Sequence, residues 1–110
     1  MLDQRKPPNL CRTMLDVRAG VDQLDREIMT LIGERFRFME AAARIKPSRE
    51  RIRDEGRKAE ILANVALHAA KQGVPPDVAA DLYERLIEAS IAYELDCYDG
   101  RAAAAAGGND

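Results

Sequence analysis

Arg35 stands where an apolar residue belongs. From Met14 onward, Met14, Val17, Val21, Leu24, Ile28 and Leu31 recur at alternating steps of three and four, and the stripe resumes at Phe38, Ala42 and Ile45. That is the seam of a long amphipathic helix, and Arg35 fills the missing place in it. A guanidinium keeps its proton, so burying it without a counter-charge costs several kcal/mol. It therefore calls for an anion, which is either a carboxylate of the same protein or a ligand. Lys46 lies 11 residues further on. At about 100° and about 1.5 Å per residue, the two side chains point within roughly 20° of each other from positions about 16 Å apart. They can converge on one small anion. Arg18, about 25 Å before Arg35, cannot share that anion within its own chain, but an antiparallel second copy could present it. Ser90 and Glu94, an i, i+4 pair, sit among apolar residues of a later helix. A carboxyl there is as misplaced as Arg35, and while carrying a proton it would be a hydrogen-bond donor. An ion pair between Glu94 and Arg35 is the structural alternative.

The elements that must position these groups are helical. Thr13, with Asp16 three residues on, starts a first helix that runs to about Lys46, because Pro47 disfavours helical geometry in the residue before it. A connector, Pro47 to about Arg53, follows, rich in charges that have no evident core partner. A second helix is expected from about Asp54 to Gln72, with Ala59, Leu62, Val65, Ala66 and Ala69 inward, stopped by Gly73. A third covers roughly Pro76 to Tyr98, with Ala79, Leu82, Tyr83, Leu86, Ile87, Ser90, Ile91 and Glu94 toward the core. The tails, 1–12 and 100–110, carry no pattern able to bury anything, so they are expected to be flexible around a helical domain at 13–99. The first helix would be about 50 Å long, whereas a compact domain of this size has a radius of gyration near about 13 Å. Two shorter helices cannot cover it. The fold expected is all-α, three helices per chain, in an intertwined helical-bundle homodimer.

Composition narrows the function classes. Of the 110 residues, 46% are hydrophobic and 33% charged, and the net charge is −2. No global basic field points to nucleic acid, and the arginines at 49, 51, 53 and 57 alternate with Glu50, Asp54 and Glu55. No apolar run reaches membrane-spanning length, and the N-terminus has no apolar h-region. With two unpatterned cysteines, Cys11 and Cys97, the chain reads as a cytoplasmic protein with reduced thiols. The single histidine, His68, leaves no metal-ligand cluster and no nucleophile–base pair.

Between Leu15 and Tyr98 the residues resemble the AroQ class of chorismate mutases, including its relatives the isochorismate-pyruvate lyases. The segment LDVRAGVDQLDREIMTLIGERF is similar to the first-helix signature of the family, AAARIK to its helix-end lysine, IRDEGRKAEIL to its Asp-x-x-Arg, and SIAYE to its Ser followed four residues later by Gln or Glu. The resemblance implies a cofactor-free, metal-free [3,3] rearrangement of chorismate to prephenate in aromatic amino-acid biosynthesis. It implies a dimer in which Arg18 of one chain and Arg35 of the other bind substrate carboxylates. Lys46 would reach a carboxylate and the breaking ether oxygen, and Glu94 would be the second donor to that oxygen. Asp54 and Arg57 would lie near the ring hydroxyl, and Ser90 at the other carboxylate. Lys46, Glu94 and Arg35 are thus the expected catalytic set. Typical mutases carry a hydroxyl-binding Glu where this chain has Lys58. The lyases also lack it, so release of pyruvate from isochorismate, giving salicylate, is the enzymatic alternative. A non-catalytic regulatory helical dimer is the alternative from another class.

Overall fold

A computed structural model describes residues 5–107, and it contains helices and turns with no strand among the described residues. The ends of the two tails expected to be flexible, residues 1–4 and 108–110, lie outside the described residues. The main helices are α1 (Met14–Ile45), α2 (Glu55–Gln72) and α3 (Pro76–Gly107). Short 3-10 turns lie at Pro8–Leu10 and Arg49–Arg51. The chain divides into two compact units, Met1–Arg35 and Phe36–Asp110.

In the first unit, the hydroxyl of Thr13 accepts the backbone N–H of Asp16 (3.1 Å), as expected of a helix start. The Asp16 carboxylate in turn accepts the backbone N–H of Arg12 (3.0 Å) and the Lys6 ammonium (3.2 Å). These two contacts, the Arg12 amide first, hold its pKa below the usual aspartate value. Arg5 pairs with Glu27 at 2.6 Å, so the segment before α1 is clamped to the helix at two points. The expected seam of α1 is solvent-facing. Val17, Val21, Leu24 and Ile28 are all exposed, and Leu31 is 65% exposed.

In the second unit, Ala43 from α1, Ile52 from the connector, Ala69 from α2, and Ala79, Ile87, Ser90 and Glu94 from α3 form the buried set. Asp54 caps α2 by accepting the backbone N–H of Arg57 at 3.0 Å. Gly73 ends it at φ 72°, a left-handed conformation that suits glycine, and Val74 N–H then reaches the Ala69 carbonyl at 2.9 Å. Three sequence expectations need correction here. Ala59, Ala66 and Leu82 are exposed rather than inward, because the apolar arcs of α2 and α3 are wider than the surface one chain covers. The connector has core and charge partners: Ile52 is 3% exposed, and Arg49 forks onto Asp99 through Nε (2.9 Å) and Nη2 (3.3 Å). Finally, α3 does not stop at Tyr98 but continues to Gly107 through the alanine run, whose high helix propensity needs no buried face.

Candidate functional site

The site residues of the second unit meet where the end of α1 approaches the middle of α3. Lys46, just past the last residue of α1, donates its backbone N–H to the Ala42 carbonyl at 2.9 Å, which extends the helix line by one residue. Its ammonium lies 2.8 Å from Glu94 Oε2 and donates to the Ile52 carbonyl at 3.3 Å. The connector thus wraps the lysine head, and the buried Ile52 side chain anchors that wrap. Glu94 is 3% exposed. Its contact with Lys46 is close enough for a strong ion pair but misses hydrogen-bond alignment, and Oε2 has no other hydrogen-bond donor among the described residues. A buried carboxylate oxygen in this state is short of a donor, and burial makes that expensive. One turn before it, Ser90 is buried and its hydroxyl donates to the Leu86 carbonyl at 2.6 Å. Ser90 and Glu94 therefore share one buried face of α3, as their spacing requires.

Asp54 and Arg57 are brought together at the start of α2, but both are exposed and locally engaged. Asp54 is the helix cap, and the Arg57 guanidinium pairs with Glu60. Arg18 and Arg35 belong to the first unit, where Arg18 is exposed and Arg35 half-buried on α1. Among the described residues no group of three His, Cys, Asp or Glu side chains could hold a metal ion.

Lys58, which departs from the mutase pattern, is held by α3. Its ammonium reaches Glu84 (2.8 Å) and Glu88 (2.9 Å), and Glu88 also takes Arg53 Nη2 at 2.6 Å. Arg53 reaches Glu55 as well, at 2.8 Å. Hydrogen bonds from Arg53 and then Lys58 lower the Glu88 pKa to about 2, and the carboxylates raise those of Arg53 and Lys58. On helical geometry Glu84 and Glu88 sit about 120° around α3 from Ser90 and Glu94.

Sequence reasoning missed Tyr93, Glu40 and Phe36. The Tyr93 hydroxyl donates to Glu40 Oε2 at 2.5 Å, and its ring meets Phe36 edge-on with centroids 5.0 Å apart. Two of the five aromatic residues lie here, Tyr93 next to the misplaced Glu94. That adjacency was the one available signal.

Residues 17–95 match the family model described as chorismate mutase type II. The chain belongs to this family, so the AroQ resemblance read from its motifs holds. A curated relative, the isochorismate pyruvate lyase of Pseudomonas aeruginosa, is 29% identical over 90 residues, covering 82% of this chain and 89% of the relative. No helix among the described residues is long and apolar enough to cross a membrane.

Proposed function

We propose that the chain is a chorismate mutase that rearranges chorismate to prephenate without cofactor or metal, working as an interlocked homodimer. The observation that carries this reading is the Lys46–Glu94 pair: an ammonium and a buried carboxyl from two helices, 2.8 Å apart, in a chain of the chorismate mutase type II family. The reaction is intramolecular. The ether C–O bond breaks as a C–C bond forms, and negative charge gathers on the ether oxygen. The protein's task is to hold a flexible dicarboxylate in a compact, chair-like conformation and to meet that charge with preorganised donors. Arg35, Arg18 of the partner subunit and Ser90 are assigned to the carboxylates, because guanidinium–carboxylate pairs are directional and bidentate. Asp54 and Arg57 are assigned to the ring end. Without ligand, Lys46 and Glu94 neutralise one another. An arriving carboxylate competes for the ammonium, and Glu94 serves as the second ether-oxygen donor once it carries a proton.

The dimer is supported by what one chain leaves uncovered. The α1 seam exposes Val21, Leu24, Ile28 and Leu31, a row at helical spacing that water would not tolerate cheaply. In the second unit, Val65, Ala69, Ala79 and Leu82 line an apolar cavity of about 400 Å³ between α2 and α3. A second copy supplies a seam for the groove and a groove for the seam, and it carries Arg18 to the partner's site. We assign the dimer to the cytoplasm, with no nucleic-acid or membrane partner.

The second reading, an isochorismate-pyruvate lyase, is favoured by the Pseudomonas aeruginosa relative and by Lys58 in place of the mutase glutamate. The same cations would steady isochorismate while pyruvate departs. Incubation of the purified protein with chorismate and, separately, isochorismate separates the readings. Prephenate from chorismate is expected. Salicylate and pyruvate from isochorismate alone would transfer the assignment to the lyase. Turnover of neither would leave a non-catalytic helical dimer.

A further inference from the structure

A lysine on a flexible four-carbon stem cannot by itself fix the orientation of a carboxyl opposite it. Something else must set how α3 presents Glu94. The residue before it, Tyr93, ties α3 to the last three turns of α1. Its hydroxyl donates to Glu40 at 2.5 Å, and Phe36, four residues before Glu40, packs against its ring at an interplanar angle of 90°. The Glu40 carboxylate first, then burial and the neighbouring Cys97, push the tyrosine pKa up to about 12, so the hydroxyl keeps its proton at working pH. Consecutive helix residues project about 100° apart. Tyr93 and Glu94 therefore meet two separate points, Glu40 on α1 and Lys46 just past its end. Two points fix the rotation and the axial position of α3 together, whereas the Lys46 contact alone fixes neither.

We propose that Tyr93, through its hydrogen bond to Glu40 and its ring contact with Phe36, is a positioning residue that sets the Lys46–Glu94 geometry. Its consequence for turnover rests on the functional reading above. Its consequence for the pair itself does not.

The test is a double-mutant cycle read in two ways. Tyr93→Phe keeps the ring against Phe36 and removes only the hydroxyl. In urea unfolding at fixed protein concentration, the coupling between Lys46→Met and Glu94→Gln should lose more than half its size when Tyr93→Phe is added. In turnover, Tyr93→Phe should lower kcat by about tenfold with little change in KM, as expected when a preorganised group is displaced. The same substitution in a Glu94→Ala background should cost less than about twofold, because the group it positions is gone. Glu40→Gln, which keeps an acceptor oxygen, should retain most of the activity that Glu40→Ala loses. An undiminished Lys46–Glu94 coupling in Tyr93→Phe, or an equal loss of kcat with and without Glu94, would overturn the assignment. If the unsubstituted protein turns over neither substrate, the functional reading fails, and the unfolding cycle alone decides the role of Tyr93.

Discussion

Glu94 is buried, paired with Lys46, and short of a hydrogen-bond donor on Oε2. Replacing it with Gln keeps the shape and supplies a permanent amide donor, so turnover at neutral pH should be preserved or raised. Glu94→Ala removes the donor and should cost on the order of 2–4 kcal/mol of transition-state stabilisation, the range for losing one oxyanion-type contact. Steady-state kinetics on both variants checks this. Equal inactivity would reduce Glu94 to a partner that holds Lys46 in place. Glu88 gives a second prediction at this scale. Its pKa is depressed to about 2 by Arg53 and Lys58, so its stabilising effect is complete above the ordinary glutamate value of 4.5 and fades as pH falls toward 2. Thermal unfolding should show a fall in Tm across that window, and Glu88→Gln should make that acid limb shallower. Arg35 and Glu94 stood out in the sequence because each interrupts an apolar pattern, and Lys46 because its spacing from Arg35 puts both on one side of a helix. Tyr93 did not, since a tyrosine among apolar residues breaks no pattern and Glu40 lies 53 residues away.

At the scale of elements, helix starts and stops were readable because their chemistry is local. Thr13, Asp54 and Gly73 act on backbone groups within a few residues, and all three sit at helix ends in the structure. The end of α3 lies beyond the expected Tyr98 because a tail without a buriable face can still be helical: alanine continues a helix on propensity alone. A glycine such as Gly100 stops a helix only when it takes left-handed geometry. Gly73 does so, and no other glycine among the described residues has positive φ. The connector was misread for a different reason. Its anchor, Ile52, is one apolar residue in a run of charges, and Asp99, the partner of Arg49, is remote in sequence. Ile52→Ala should therefore destabilise the protein by about 2–4 kcal/mol, as for a buried aliphatic truncation. Chemical denaturation measures the loss. If the connector also wraps Lys46, kcat should fall more than burial alone explains, since the Ile52 carbonyl is one of the two groups holding the ammonium.

At the scale of the whole molecule, the sequence argued for a second copy through length, and the structure adds exposure. Phe38 and Ile45 are 65% and 70% exposed on the α1 seam. A charge placed within such a seam opposes association without disturbing what one chain buries. Leu31→Asp should thus convert a dimer to monomer or aggregate in light scattering while leaving helix content in circular dichroism nearly intact. A monomer at micromolar concentration in the unsubstituted protein would remove the dimer from the proposal. The sharing of sites has its own check. Arg18→Ala and Arg35→Ala chains, refolded together, should recover about one working site per mixed dimer, and no recovery from two well-folded variants would exclude a cross-chain Arg18.

The salt-bridge cluster around Lys58 bears on which substitutions this chain can absorb. The acids Glu84 and Glu88 are matched to a cation at position 58, and Glu88 is shared with Arg53. Lys58→Glu alone would set a third carboxylate against those two, with Arg53 as the nearby counter-charge, and like charges in one cluster repel. The reversal costs least once α3 has lost or inverted its acids. Neutralising Glu84 and Glu88 first should therefore lower the stability cost of Lys58→Glu, and a double-mutant cycle in chemical denaturation reads that coupling.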